Sequence, residues 1–305
     1  MSDDGFDVVT GAFSYTGGAI ARELLRRGRR VRTLTGHPAR WGANPAVDVR
    51  PYDLDDPDAL VRSLEGADTF YSTYWVRFRH GETSFERAIE CSGLLFGSAR
   101  RAGVRRIVHV SVTNPDPNSP FPYFRGKAIV EEMLAATCPS WAVVRPSVVF
   151  GHGDILMNNI AWLLRRFPLF AVPGDGRYRV RPVHVDDVAE LCVALASEDA
   201  PATLDAVGPD TFTFEELVER IRDAVGSRSR IVHVDPRVAR LAASAIGLLV
   251  RDVLLTDHEL GGLMSEKAYS DAPTTGKTRF TDWLSDVGAE LGRRYASELE
   301  RHFKP

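Results

Sequence analysis

Tyr123 and Lys127 are the two residues of this 305-residue sequence whose types and spacing best suit catalysis. Four positions apart, they share one face of the helix that the pattern predicts over residues 122–136. An ammonium beside a phenol favours the phenolate, lowering a pKa that is about 10 in isolation. Such a tyrosine gives or takes a proton near neutral pH, as interconversion of a carbonyl and an alcohol requires. The same pair also occurs on ordinary solvated helices, so its meaning depends on what surrounds it. A hydroxyl to orient the substrate oxygen would come from Ser111 or Thr113, both at the carboxyl edge of a predicted fifth strand. Ser111 is slightly favoured; the other hydroxyl would then cap the loop before Asn114-Pro115.

A second group could hold a dinucleotide. Val8-Val9-Thr10 ends a β-branched run, Gly11 to Gly18 forms a tight turn, and an amphipathic helical pattern follows. Strand, turn and helix in that order present backbone N–H groups and a helix N-terminus to a pyrophosphate. Gly11, Phe13, Ser14, Tyr15, Thr16 and Gly17 are the cradle candidates, with Ser14 where a glycine is usual. An ordinary βα loop would carry much of this pattern. At the end of the second strand stands Thr35, not the carboxylate that would favour NAD. Arg32, His37 or Arg40 could bind a 2′-phosphate, so NADP is the expected cofactor, with NAD the alternative. Residues 71–80, Tyr-Ser-Thr-Tyr-Trp-Val-Arg-Phe-Arg-His, leave the fourth strand beside the expected nicotinamide position. Tyr74 and Trp75 could wall a substrate pocket, and Arg77 or His80 could meet an anionic group. Aromatic packing under the next helix explains the same stretch equally well. His184 reads as structural, and no spacing suits a metal.

The elements needed to position these groups are legible as strands over 6–10, 31–35, 47–53, 68–73, 106–111 and 141–150. Helices are predicted between them, at 18–27, after Asp55-Asp56-Pro57, at 84–101 and at 122–136. This alternation implies an α/β fold with a doubly wound parallel Rossmann sheet. After Gly151 the rhythm changes, to a helix over 155–166, turns, a short strand at 181–185 and another at 202–207. A capping box at Thr213 to Glu216 opens a further helix, and the rest is mostly helical with one strand at 231–234. The expected division is a dinucleotide-binding core of residues 1–151, with 181–208 returning to it. Residues 152–180 and 209–305 would form a smaller, mostly helical substrate region.

Gly11-x-x-Ser14-x-x-Gly17 together with Tyr123-x-x-x-Lys127 resembles the short-chain dehydrogenase/reductase superfamily. Arg145-Pro146-Ser147-Val148-Val149-Phe150-Gly151 and Arg181-Pro182-Val183-His184-Val185-Asp186-Asp187 resemble later motifs of its extended and atypical branches. The whole chain is similar to atypical members described as NAD(P)H-binding, NmrA-like or complex I accessory-subunit-like. The resemblance implies that Lys127 also holds the nicotinamide ribose, and that Asp53 lies near the adenine. Thr73, Pro146 and Val148 complete the implied cofactor site.

Composition sets the remaining bounds. Hydrophobic residues make up 44% and charged residues 26%, with a net charge of −3. That balance gives no reason to expect nucleic acid or an anionic membrane as partner. Three separated cysteines, an acidic polar start and no bilayer-length apolar run predict a cytoplasmic protein with free thiols. The longest apolar run is Leu241 to Val250. The leading expectation is an NAD(P)H-dependent oxidoreductase acting on a small-molecule substrate. A nucleotide-sugar-type epimerase or dehydratase with retained NAD is one alternative. A non-catalytic NAD(P)-binding sensor or assembly protein is another, and the reading admits a homodimer.

Overall fold

Apolar runs of five or six residues, bounded by glycine turns and caps, become the strands of the computed structural model, which describes residues 5–36, 44–81 and 83–302. The chain begins β1 (Phe6–Thr10), α1 (Tyr15–Arg26), β2 (Arg30–Thr35), β3 (Val47–Pro51), α2 (Pro57–Leu64) and β4 (Ala67–Ser72). It continues α3 (Phe85–Arg101), β5 (Arg106–Val110), α4 (Pro122–Thr137) and β6 (Trp141–Pro146). Then come β7 (Val149–Phe150), α5 (Leu156–Arg166), β8 (Leu169–Pro173), β9 (Arg179–Val180) and β10 (Val183–His184). After α6 (Val185–Leu195) and β11 (Ala202–Ala206) follow β12 (Phe212–Thr213), α7 (Phe214–Ala224) and β13 (Arg230–Val234). The last elements are α8 (Pro236–Val250), α9 (Asp257–Met264), α10 (Phe280–Val287) and α11 (Glu298–His302).

These elements form two units, Met1–Pro146 with Val185–Ala206, and Ser147–His184 with Val207–Pro305. The first holds a seven-stranded sheet in the order β11-β6-β5-β4-β1-β2-β3, every neighbouring pair parallel. It is a doubly wound Rossmann-type sheet. The strand order reverses between β1 and β4, the switch point beyond whose carboxyl ends open α/β sheets take their ligands. Val8, Leu34, Leu60, Phe70, Leu95, Phe96 and Ile107 form the buried core against which the helices pack. Two threonines tie the reversal point. Thr73 N–H donates to Thr10 Oγ1 at 2.8 Å, and Thr73 Oγ1 donates to the Thr10 carbonyl at 2.6 Å.

Three expectations change. Helix α1 starts at Tyr15, not at Gly18, because Ser14 takes the extended N-cap conformation. The apolar run 141–150 is two strands: β6 stops at Pro146, which has no N–H for the ladder, and β7 pairs with β10 in the second unit. Strands β8, β9 and β12 were not legible: β9 and β12 have two residues each, and β8, Leu169–Pro173, runs straight into the Pro173-Gly174 turn that marked the segment as a loop. They pair with β13 and with one another to frame the second unit, whose core includes Phe150, Ile160, Phe170, Leu217, Ile221 and Phe280.

Each unit is fastened by a buried arginine bonded to oxygens rather than to a carboxylate. In the second, Arg181 reaches the carbonyls of Gly208 (2.8 Å), Ser270 (3.1 Å) and Ala272 (2.7 Å). In the first, Arg106 is fully buried and donates to the Leu195 carbonyl at 2.7 Å, Ser140 Oγ at 2.9 Å and the Ala200 carbonyl at 3.1 Å. Leu195 ends α6, so this cation satisfies a terminal carbonyl and complements the helix dipole. An Arg106→Met variant leaves those oxygens without a donor. It is expected to lose about 3 kcal/mol, read as a lower urea midpoint for the first unit.

Candidate functional site

The turn after β1 is shaped for close approach. Gly11 takes φ +63°, and its carbonyl accepts the Ser14 N–H at 2.8 Å. A Cβ on Gly17 would lie 2.3 Å from the Gly11 oxygen and 2.8 Å from the Thr10 oxygen, so only glycine fits there. Ser14 makes no side-chain cap, and the first turn of α1 carries no acidic residue. The positive end of the helix dipole at the start of α1 is therefore not offset by a carboxylate of its own first turn. Tyr15 and Thr16 lie in this first turn, half-buried. Beside it, Ala12, Phe13, Ser14, Arg22, Asn44 and Val47 help line a cleft of about 140 Å³. Arg22 pairs with Asp186 at 3.2 Å, both largely exposed. It carries no motif, and only its place on the cleft reveals it.

The other cofactor candidates fall as follows. Thr35 ends β2, and its carbonyl accepts the Tyr52 N–H at 2.9 Å. Arg32 turns away to Asp48 (2.7 Å) and the Ser63 carbonyl (2.8 Å), with its guanidinium over the Phe6 ring. That arginine is committed to the sheet edge. His37 and Arg40 lie outside the described residues. Asp53 is exposed and accepts the Asp55 N–H at 2.9 Å. Pro146 ends β6 in the first unit, while Val148 belongs to the second and packs on its core.

The dyad sits on α4, whose N-terminus is set by Pro122. Lys127 is buried, and its Nζ donates to the Val110 carbonyl at 2.8 Å, at the end of β5. Burial pushes its ammonium down to about 7, against a smaller opposing pull from Glu131. The Trp75 indole lies over it, Nζ standing 4.8 Å from the ring centroid. Gly126 makes this possible, since a Cβ there would stand 2.8 Å from the indole. Tyr123 meets Trp75 and Phe85 edge-on, at 6.1 and 6.3 Å between centroids. Three buried polar atoms in this neighbourhood have no hydrogen-bond partner: Ser111 Oγ, Trp75 Nε1 and His109 Nε2. Thr113 is fully buried, its N–H bonded to the Pro146 carbonyl at 3.0 Å. Just below, His109 is fully buried with Nδ1 3.3 Å from Ser72 Oγ, and burial holds its imidazole well below the usual range.

The aromatic stretch divides. Trp75 joins the dyad, whereas Tyr74 turns toward Tyr52 and Cys91, where burial raises its phenol. Arg77 stacks over Phe78, and His80 is exposed in a bridge with Thr83. Among the described residues, no cluster of His, Cys, Asp or Glu could hold a metal, and no helix is long and apolar enough to cross a membrane.

Residues 8–205 match the model of the NAD dependent epimerase/dehydratase family. The chain belongs to that family. It is thereby a member of the extended short-chain dehydrogenase/reductase superfamily. Among similar proteins is the mitochondrial NADH dehydrogenase (ubiquinone) 1 alpha subcomplex subunit 9 of Arabidopsis thaliana, 24% identical over 80% of this chain and 64% of that protein. The chain thus spans less than two thirds of that relative. Ceramide reductase of Caulobacter vibrioides is 27% identical, over 78% of this chain and 77% of that protein. Among solved structures, a Citrobacter sp. triphenylmethane reductase complexed with NADP(H) covers 93% of this chain at TM-score 0.74 and 16% identity, matching over 99% of its own length. The family is named for NAD and this neighbour holds NADP(H).

Two outcomes are expected. Gly17→Ala forces α1 off β1, and isothermal titration is expected to show at least tenfold weaker dinucleotide binding with the fold retained by circular dichroism. For Lys127, the unfolded chain binds the extra proton between pH about 7 and the ordinary lysine value of about 10.4, so stability rises with pH in that window. The urea midpoint is expected to climb from pH about 7 to about 9, and to climb less in Lys127→Met.

Proposed function

We propose that this chain is an oxidoreductase that binds NADP(H) and acts on a carbonyl or alcohol of a small molecule. The observation that carries this reading is the buried Lys127 ammonium, placed between the end of β5 and the face of α4 that bears Tyr123. The residues present fit a dinucleotide. The Gly11–Gly17 turn brings the start of α1 against the end of β1, closer than any Cβ at Gly17 would allow, and Ser111 Oγ waits buried without a partner. When bound, the nicotinamide supplies the hydride or accepts it. Tyr123 exchanges the proton at the substrate oxygen, Lys127 biases that phenol and holds the ribose hydroxyls, and Ser111 orients the same oxygen. A lysine poised near neutrality responds to small changes in its surroundings, which suits a group that must cede and regain charge during turnover.

Ser111 is favoured over Thr113 because its hydroxyl has no partner in the fold, while Thr113 is fully enclosed. For the cofactor, Arg22 on the small cleft adds a cation suited to a 2′-phosphate. The family's name also supports a second reading, an epimerase or dehydratase that keeps NAD bound through its cycle. Stoichiometric NAD in the purified protein would favour that reading.

Tyr123→Phe is expected to lower turnover on a carbonyl panel by about 10²- to 10⁴-fold while leaving cofactor affinity within twofold. Unchanged turnover would overturn the assignment of Tyr123. Arg22→Ala is expected to weaken NADPH binding about tenfold and NADH binding little, read by fluorescence titration.

A further inference from the structure

Helix α8 is turned the wrong way round for an ordinary amphipathic helix. It packs on its own unit through small residues, with Ala239 and Gly247 buried. Gly247 is held so close that a Cβ would lie 2.7 Å from the Asp252 oxygen. The large apolar residues point outward: Leu248 is 83% exposed, Leu249 73%, Leu241 71% and Val238 54%. With Ala245 these positions follow i, i+3, i+7, i+10 and i+11, a continuous stripe over roughly 100° of arc. A stripe of this size on a water-soluble surface marks a contact surface.

Charge identifies the partner. The chain as a whole is acidic, with 41 carboxylates against 38 lysines and arginines. Residues 236–251 nevertheless carry Arg237, Arg240 and Arg251 and no carboxylate. Of the flanking acids, Asp235 caps the helix at the Arg237 N–H (2.8 Å) and Asp252 is buried against the Tyr295 hydroxyl (2.7 Å). Asp257 pairs with Arg240 at 3.0 Å, both exposed. A second copy is a poor occupant. Two such helices would bring their arginines together, and one stripe offers roughly 500 Å² where a stable interface needs about 800 Å² per partner. An anionic lipid surface suits both features at once. Acyl chains take the leucines, and phosphate headgroups take the flanking arginines, whose stems bend toward the interface.

We propose that α8 is a peripheral membrane-docking helix that lies in the plane of an anionic lipid surface. Leu241, Leu248 and Leu249 enter the acyl layer, while Arg237, Arg240 and Arg251 hold the headgroups. The proposal is independent of the reaction assigned above.

The test is flotation of the purified full chain with vesicles of phosphatidylcholine and phosphatidylglycerol, against vesicles of phosphatidylcholine alone. Flotation with the anionic vesicles is expected, falling about fivefold for each of Arg237→Ala and Arg251→Ala. The double variant Leu248→Glu, Leu249→Glu is expected to stay unbound with an unchanged circular dichroism spectrum, both sites being exposed. The proposal is overturned if the chain ignores anionic vesicles, or if the double variant still floats with them. It is also overturned if light scattering finds a dimer that the double variant dissolves while lipid binding is absent, which would assign the stripe to a second copy.

Discussion

Helix α1 runs so close to the end of β1 that no side chain fits between them at Gly17. Everything at the mouth of the first unit follows from that approach. The backbone turn between strand and helix is held from below by hydroxyls: Thr33 Oγ1 accepts the Ala12 N–H at 3.0 Å and donates to the Val9 carbonyl at 2.9 Å. Thr10 and Thr73 lock the neighbouring strand ends in the same manner. Short polar side chains, each satisfied by backbone, thus fix the rim where the order of strands reverses. Hydroxyls suit this task because they give one bond and accept another without bringing a charge into the sheet.

Burying a cation is costly unless its protons find acceptors. Three times this protein offsets that cost with neutral oxygens, in Arg106 only in part since its Nη2 has no acceptor. Arg106 and Arg181 use theirs to join segments distant in sequence, and both are spent on the fold. Lys127 differs. It has one carbonyl and the face of an indole, and its remaining capacity is unfilled by carboxylate. The amine accordingly sits near the balance between charged and neutral forms. An ammonium held this way is fastened firmly enough to be oriented and loosely enough to respond to a newcomer.

The parallel sheet was legible because strands covered on both faces read as nearly continuous apolar runs between turn residues. That Tyr123 and Lys127 share a helix face followed from their spacing, whereas reading that face as a site needed the fifth strand before it and the superfamily resemblance. Side-chain direction at a strand exit has no such code. Tyr74 and Trp75 are adjacent, chemically alike and both packed against the core, yet Tyr74 turns to Tyr52 while Trp75 also covers Lys127. Arg32 was ambiguous for the same reason, until Asp48 on the neighbouring strand claimed it. Arg22 gave no signal because its relevance arises only where α1 passes Asn44 and Val47. The run 141–150 misled because two elements of different units are adjacent in sequence and equally apolar. The leucines of α8 read simply as an apolar run, since hydrophobicity does not say which face a helix turns to water.

The interleaving of the two units bears on how the chain matures. Six strands of the parallel sheet emerge from the ribosome before any of the second unit does, and can pair as they appear. Strands β8 and β9 come next but must wait for β13 and β12, which are made only after α6 and β11 have rejoined the sheet. During that interval the β8 edge, with Phe170 and Val172, has no ladder partner among its own nascent neighbours. The second unit therefore cannot close its β8 and β9 ladders until about sixty further residues have been added, so its pairing depends on chain segments far apart in order of synthesis.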